Sequence, residues 1–75
     1  MGARFAVCLD NDQYDASLIV GKIYQILPDR EAEKDGYLLV IDEDGEDYLY
    51  GGEKFCRLRV PPVVAEAIIL ATKQG

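Results

Sequence analysis

Histidine and tryptophan are absent from this chain, serine occurs once, at Ser17, and cysteine twice, at Cys8 and Cys56. With no histidine, and with a lone serine that has no base beside it, nucleophilic catalysis of the triad type has no parts to work with. No catalytic residue is assigned, and the expectation is a protein that is not an enzyme. Two cysteines far apart cannot assemble a four-ligand zinc site within one chain, so no metal and no cofactor is expected. Positive charge is also scarce, with 8 lysines and arginines against 14 aspartates and glutamates, a net charge of −6. That field repels phosphate backbones and anionic lipid within a Debye length. Only Lys54, Arg57 and Arg59 lie close enough in sequence to form a local basic patch, so neither nucleic acid nor membrane is expected as a partner.

Long apolar runs are missing too. Nothing approaches the ~18 residues of a membrane span. The apolar stretch near the start ends at Asp10, too short for the core of a signal peptide, and Ala6 stands where a myristoylation signal on Gly2 would want Ser or Thr. The expected location is cytoplasmic, where both cysteines would stay reduced and pack as small, buried or half-buried hydrophobes.

What is present fits one domain over residues 1–75, since a chain this short buries only about 60% of its unfolded surface and supports a single core. Apolar residues at 49% and charged residues at 29% place it with globular proteins. From Arg4 to Leu9 the residues Phe5, Val7 and Leu9 alternate with Arg4, Ala6 and Cys8, the two-residue period of a strand. A polar, turn-forming stretch from Asp10 to Asp15 follows, and Leu18-Ile19-Val20 returns to apolar before Gly21, making a loop of about a dozen residues. Lys22 to Leu27 reads as a second strand, stopped by Pro28. The charged stretch Asp29 to Asp35 suits a single helical turn or a loop. Tyr37 to Ile41 is a continuous apolar run that should be covered on both faces.

Asp44-Gly45 between that run and Asp47 to Tyr50 is a strong hairpin signal. After the turn Gly51-Gly52-Glu53, Lys54 to Val60 reads as a fifth strand. Phe55 shares a side with Arg57 and Arg59 there, so alternation alone does not assign the inward face. Pro61-Pro62 ends the strand, and Val63 to Lys73 has helical composition with proline in the first turn. On a helical wheel Leu70, Val63, Ala67, Ala71, Val64 and Ile68 share an apolar arc, with Glu66, Thr72 and Lys73 outside it. Ile69 and Ala65 fall among the polar positions, so the helix carries more apolar surface than one small core requires.

Gly21 to Asp29 (Gly-Lys-Ile-Tyr-Gln-Ile-Leu-Pro-Asp), Gly36, Val40-Ile41-Asp42-Glu43, Gly45 to Tyr50 and Phe55 together resemble a group of small bacterial proteins of uncharacterised role. The likeness runs over nearly the whole chain up to Leu58. It implies a mainly β fold, a small five-stranded Src-homology-3-like (SH3-like) barrel over residues 4–60 with a C-terminal α-helix over about 61–73. It brings no activity, cofactor or catalytic residue. The sequence departs from the proline-peptide binders of that architecture, which use an Ala-Leu-Tyr-Asp-Tyr segment and a groove tryptophan. Only Tyr14 and Asp15 stand in the long loop where such a face would lie.

Five groups of residues remain as candidates. Asp42, Asp44, Glu46 and Asp47 around Gly45, and Asp10, Asp12 and Asp15 near Asn11, offer oxygens for a divalent cation or small ligand, or are solvated turns. Five tyrosines could build a contact surface; Tyr24 reads as core and Tyr14 as the one most exposed. Cys8 and Cys56 lie on strands that pair in such barrels, which leaves a redox pair open beside two buried thiols. The excess apolar surface of the helix either packs on the barrel's open end or meets a protein, a second copy included. The expectation is thus a protein-interaction or regulatory module, with Asp12, Tyr14, Asp15, Val64, Ile68 and Ile69 as partner-binding residues and a homodimer through the helix as one form. Binding of a cation or small ligand at the acidic loops is the alternative.

Overall fold

A computed structural model describes residues 4–74, with side chains described as far as residue 71; Gly2, and the side chains of Thr72 and Lys73 named above, lie outside the described residues. Five antiparallel strands form one sheet: β1 Arg4–Cys8, β2 Ile23–Leu27, β3 Tyr37–Ile41, β4 Asp47–Gly51 and β5 Phe55–Leu58. A short helix α1 spans Arg30–Lys34, a 3-10 turn covers Gly52–Lys54, and α2 spans Pro62–Gln74. The strand order is β4-β3-β2-β1-β5. The mainly β character and the C-terminal helix are as expected, but the ladder of paired strands is open, with β4 and β5 as its two edges. The last strand is also shorter than the alternation of Lys54 to Val60 suggests, and its first three expected partners lie along β1, Cys8 opposite Phe55, Val7 opposite Cys56 and Ala6 opposite Arg57.

Local chemistry sets each boundary. Gly21, at φ 88°, turns the chain into β2, and its N–H donates to the Cys8 carbonyl at 2.7 Å, pinning the two ends of the long loop together. Pro28 ends β2, and the Asp29 carboxylate then accepts from Ala32 N–H at 3.0 Å, capping α1. At the β3–β4 hairpin, Asp42 N–H donates to the Glu46 carbonyl at 3.1 Å and Gly45 N–H to the Asp42 carbonyl at 2.9 Å. Gly45 sits at φ 77°, the left-handed position such a loop gives to glycine.

Directly opposed residues in a pleated sheet point to the same side, so the register sorts the side chains into two faces. The first holds Ala6 and Cys8 of β1, Tyr24 and Ile26 of β2, Leu38 and Val40 of β3, Tyr50 of β4 and Phe55 of β5, all buried. Leu18, from the middle of the long loop, completes this cluster and is 0% exposed. The loop is therefore a lid on the core and not an excursion away from it.

The second face holds Phe5, Val7, Ile23, Leu27, Leu39, Ile41, Leu49, Cys56 and Leu58; Phe5 is buried and most of the others are half-buried. Ala71 lines a groove with Ile23, Gln25 and Ile41, which sets the last turns of α2 against this side. The run Tyr37 to Ile41 is thus fully covered on one side only: Leu38 and Val40 are buried, Leu39 and Ile41 half-buried, and Tyr37 exposed.

Candidate functional site

The long loop and the β3–β4 hairpin meet at one end of the sheet, held by groups the sequence presents as loose acids and tyrosines. Tyr24 is buried, as its place in β2 suggests. Its hydroxyl accepts from Ile19 N–H at 2.8 Å and donates to Glu43 Oε2 at 2.5 Å, and Lys22 Nζ lies 2.5 Å from the same oxygen. Tyr50 donates to Asp42 Oδ2 at 2.8 Å, and Asp42 Oδ1 accepts from Asp44 N–H at 2.9 Å. Asp42 is the buried carboxylate that ties hairpin to core. Glu43 N–H donates to the Ser17 carbonyl at 3.0 Å, closing the loop onto the hairpin.

Tyr14 is half-buried here and not the open aromatic the polar loop suggests. Its ring meets Tyr50 edge-on at 4.9 Å, and Lys54 Nζ stands 5.6 Å from its centroid. Asp12 and Asp15 remain exposed on the same loop.

Electrostatics fix what these groups can do. Lys22 and then Tyr24 hold the Glu43 carboxyl below its ordinary range, so it is a weak base. Burial, and secondarily Glu43, raises Tyr24 above the usual phenol range, while burial and Asp42 push Tyr50 up to about 12. A carboxylate does meet a lysine and a tyrosine at the mouth of a 340 Å³ groove. The pair is nonetheless tuned away from proton transfer near neutral pH, where acid and base work best with matched values. Among the described residues no three acidic or thiol side chains converge on a point that would hold a metal ion. Asp42 and Glu43 spend their oxygens on Tyr50, Asp44, Tyr24 and Lys22.

The helix departs from expectation most. The half-buried residues of α2 are Ala65, Ile68 and Ile69, at the i, i+3, i+4 spacing of one helix face. Val63, Val64, Ala67, Leu70 and Ala71, the bulk of the apolar arc, are exposed, with Val63 at 73% and Leu70 at 51%. Of the three helix residues assigned to a partner, Ile68 and Ile69 therefore turn toward the protein and Val64 turns outward. The loop residues and the helix residues belong to separate surfaces.

At the opposite end of the first face, Glu33 of α1 receives two guanidinium groups on one oxygen, Arg4 at 3.2 Å and Arg57 at 3.1 Å. Arg4 and then Arg57 hold its carboxyl at about 2. No local pattern announces this trio, because its members come from three elements. Two members of the basic stretch noted in the sequence are thereby occupied: Arg57 by Glu33, and Lys54 by Asp10 at 3.9 Å. Cys8 is buried and Cys56 exposed, one register step apart and so on opposite faces; both are free thiols. The expectation of two buried thiols fails at Cys56, which sits at the uncovered edge of the second face.

Charge is segregated as well. The long loop and the hairpin hold eight of the fourteen acidic residues, with Lys22 and the adjoining Lys54 as their only bases. The other six acidic residues are spread over the rest of the chain, so the acidic charge is concentrated at this end. Among the described residues, no helix is long and apolar enough to cross a membrane. No known protein family, curated protein or solved structure matches the chain.

Proposed function

We propose that this chain is a non-enzymatic protein-interaction module of the SH3-like barrel class, acting in the cytoplasm, whose contact surface is the outward side of α2. The observation that carries the reading is the inverted helix: Ala65, Ile68 and Ile69 are enough to seat it, and Val63, Val64, Ala67 and Leu70 are left in water. An apolar stripe of this kind is the usual mark of a surface that another protein covers. The meander of neighbouring strands, with β1 between β2 and β5 and a 3-10 turn before β5, supports the barrel class. The absence of histidine from the sequence and the mismatched Tyr24 and Glu43 support a binding role over a catalytic one.

The partner is a different protein. A helix of this length offers a stripe only ~20 Å long and about 10 Å wide, well short of the ~800 Å² per partner that a standard interface buries, and two copies of a −6 chain repel each other. The other protein must reach beyond the stripe. Pull-down from the parent cell with wild type, Leu70→Glu and the exposed control Glu66→Gln tests this. The expected result is a specific partner held by wild type and Glu66→Gln and lost by Leu70→Glu, with sedimentation showing a monomer at two concentrations. The same captured set for all three proteins, or a dimer that Leu70→Glu dissolves, overturns it.

A further inference from the structure

The sheet has a free edge whose backbone groups can be assigned from the register. Asp42 N–H bonds to Glu46 C=O, and Gly52 N–H bonds to Gly36 C=O at 2.8 Å, at the two ends of the β3–β4 pair. Bonded and non-bonded pairs alternate along an antiparallel ladder, so Tyr48 and Tyr50 exchange their bonds with Val40 and Leu38. The N–H and C=O groups of Asp47 and Leu49, and the N–H of Gly51, then point away from β3, while the Gly51 carbonyl opens the 3-10 turn that follows. Among the described residues no strand lies beyond β4 to receive them.

The side chains beside this edge are apolar on both faces of the sheet. Tyr48 is 54% exposed on the first face, and Leu49 and Tyr37 are 45% and 48% exposed on the second. An added strand alternates its side chains between the two faces, so it would find apolar contact on each. Natural edges are commonly blunted by lysine, proline or a bulge. Between Asp47 and Gly51 there is no lysine and no proline, and the pairing with β3 runs without a bulge from Tyr37–Gly51 to Ile41–Asp47. The charge that is present is of one sign: Asp44, Glu46 and Asp47 at the hairpin end, where the acidic residues are concentrated.

We propose that β4 accepts an extended, basic segment of another protein as an added strand. Its backbone pairs with Asp47, Leu49 and the N–H of Gly51, its apolar side chains pack against Leu49 and Tyr48, and its lysines or arginines stand beside Asp47 and Glu46. Charge complementarity selects this occupant over a second copy of the chain, which would bring another −6.

A synthetic peptide of consecutive valines flanked at both ends by lysines, long enough to span β4, serves as ligand for the intact chain, with its glutamate-for-lysine counterpart as control. The lysine peptide is expected to slow amide hydrogen exchange at Asp47, Leu49 and Gly51, to bind more weakly as salt rises, and to be matched by no binding of the glutamate peptide. Leu49→Pro removes an N–H that the fold leaves unused, a position where an edge strand tolerates proline, and should weaken binding about tenfold or more with the far-ultraviolet circular dichroism unchanged. If that variant does not fold, peptides N-methylated at alternate backbone nitrogens, in both phases, decide instead: at least one phase must abolish binding. Equal binding of the glutamate peptide, equal binding of both methylated phases, or protection that falls on α2 and spares β4 overturns the proposal. So does protection of these three amides in the free chain that grows with its own concentration, because the occupant is then a second copy.

Discussion

The two faces of one five-stranded sheet are finished to different degrees. On the first face, residues from all five strands and Leu18 from the loop exclude water, and the polar groups at the margin are paired: Tyr24 with Glu43, Tyr50 with Asp42, Arg4 and Arg57 with Glu33. On the second face, Phe5 is buried but Ile23, Leu39 and Ile41 are only half-covered, and the helix beside them presents its more apolar side to solvent. The same strands build both faces, so the difference comes from what is laid over them. A loop anchored at both ends seals one side, and a helix that ends the described chain half-covers the other. Stability should reside on the first side and association on the second.

The largest test of that contrast is Leu18→Ala, which empties a wholly buried site supplied by the loop. Unfolding by urea should show a loss of about 2 to 5 kcal/mol, whereas Leu70→Ala on the outward side of α2 should stay within about 0.5 kcal/mol. Equal losses would mean that the two faces are not distinct. Tyr50→Phe should rank next, at about 1 to 3 kcal/mol, because it leaves the buried Asp42 carboxylate short of a donor. A cost near zero would show that solvent reaches Asp42.

Acid titration probes the Glu33 end. Its carboxyl is held at about 2 in the folded chain against an ordinary 4.5, so the unfolded chain takes up the proton first. The contribution is present above the ordinary value and is lost as pH falls from about 4.5 toward 2. Glu33→Gln should flatten the fall of the urea midpoint across that window, and an unchanged slope would remove the two arginine contacts from the account. The smallest perturbation is chemical: a thiol reagent should modify Cys56 in the folded chain and reach Cys8 only on unfolding, since burial both hides Cys8 and raises its thiol pKa. Modification of both at one rate would place Cys8 outside the core.

How much of this was legible depended on the range of the interaction. The alternation around Phe5 and Val7, the stop at Pro28 and the Asp44-Gly45 turn are local signals, and the strands appear where they point, to within one residue except at the end of β5, which stops two residues early. Leu18 was legible as apolar but not as core, because nothing near it in sequence says that the loop folds back. Tyr14 looked exposed for the same reason: its partners Tyr50 and Lys54 come from the far half of the chain. The helix was ambiguous in its composition. Its wide apolar arc left open whether it packs or meets a protein, and the half-buried residues are the narrower set Ala65, Ile68 and Ile69. At β5, Phe55 beside two arginines gave no direction until Glu33 supplied Arg57 with a carboxylate.

The loop that supplies Leu18 also decides where this chain can be cut or lengthened. By length and polarity it looks like the natural place to graft a tag or open a permuted terminus. Because its middle residue is sealed in the interior and its ends are tied through Gly21 and Cys8, a graft there would pull a plug from the core. The tip at Asp44 and Gly45, short and solvent-facing, is the seam that such surgery should use.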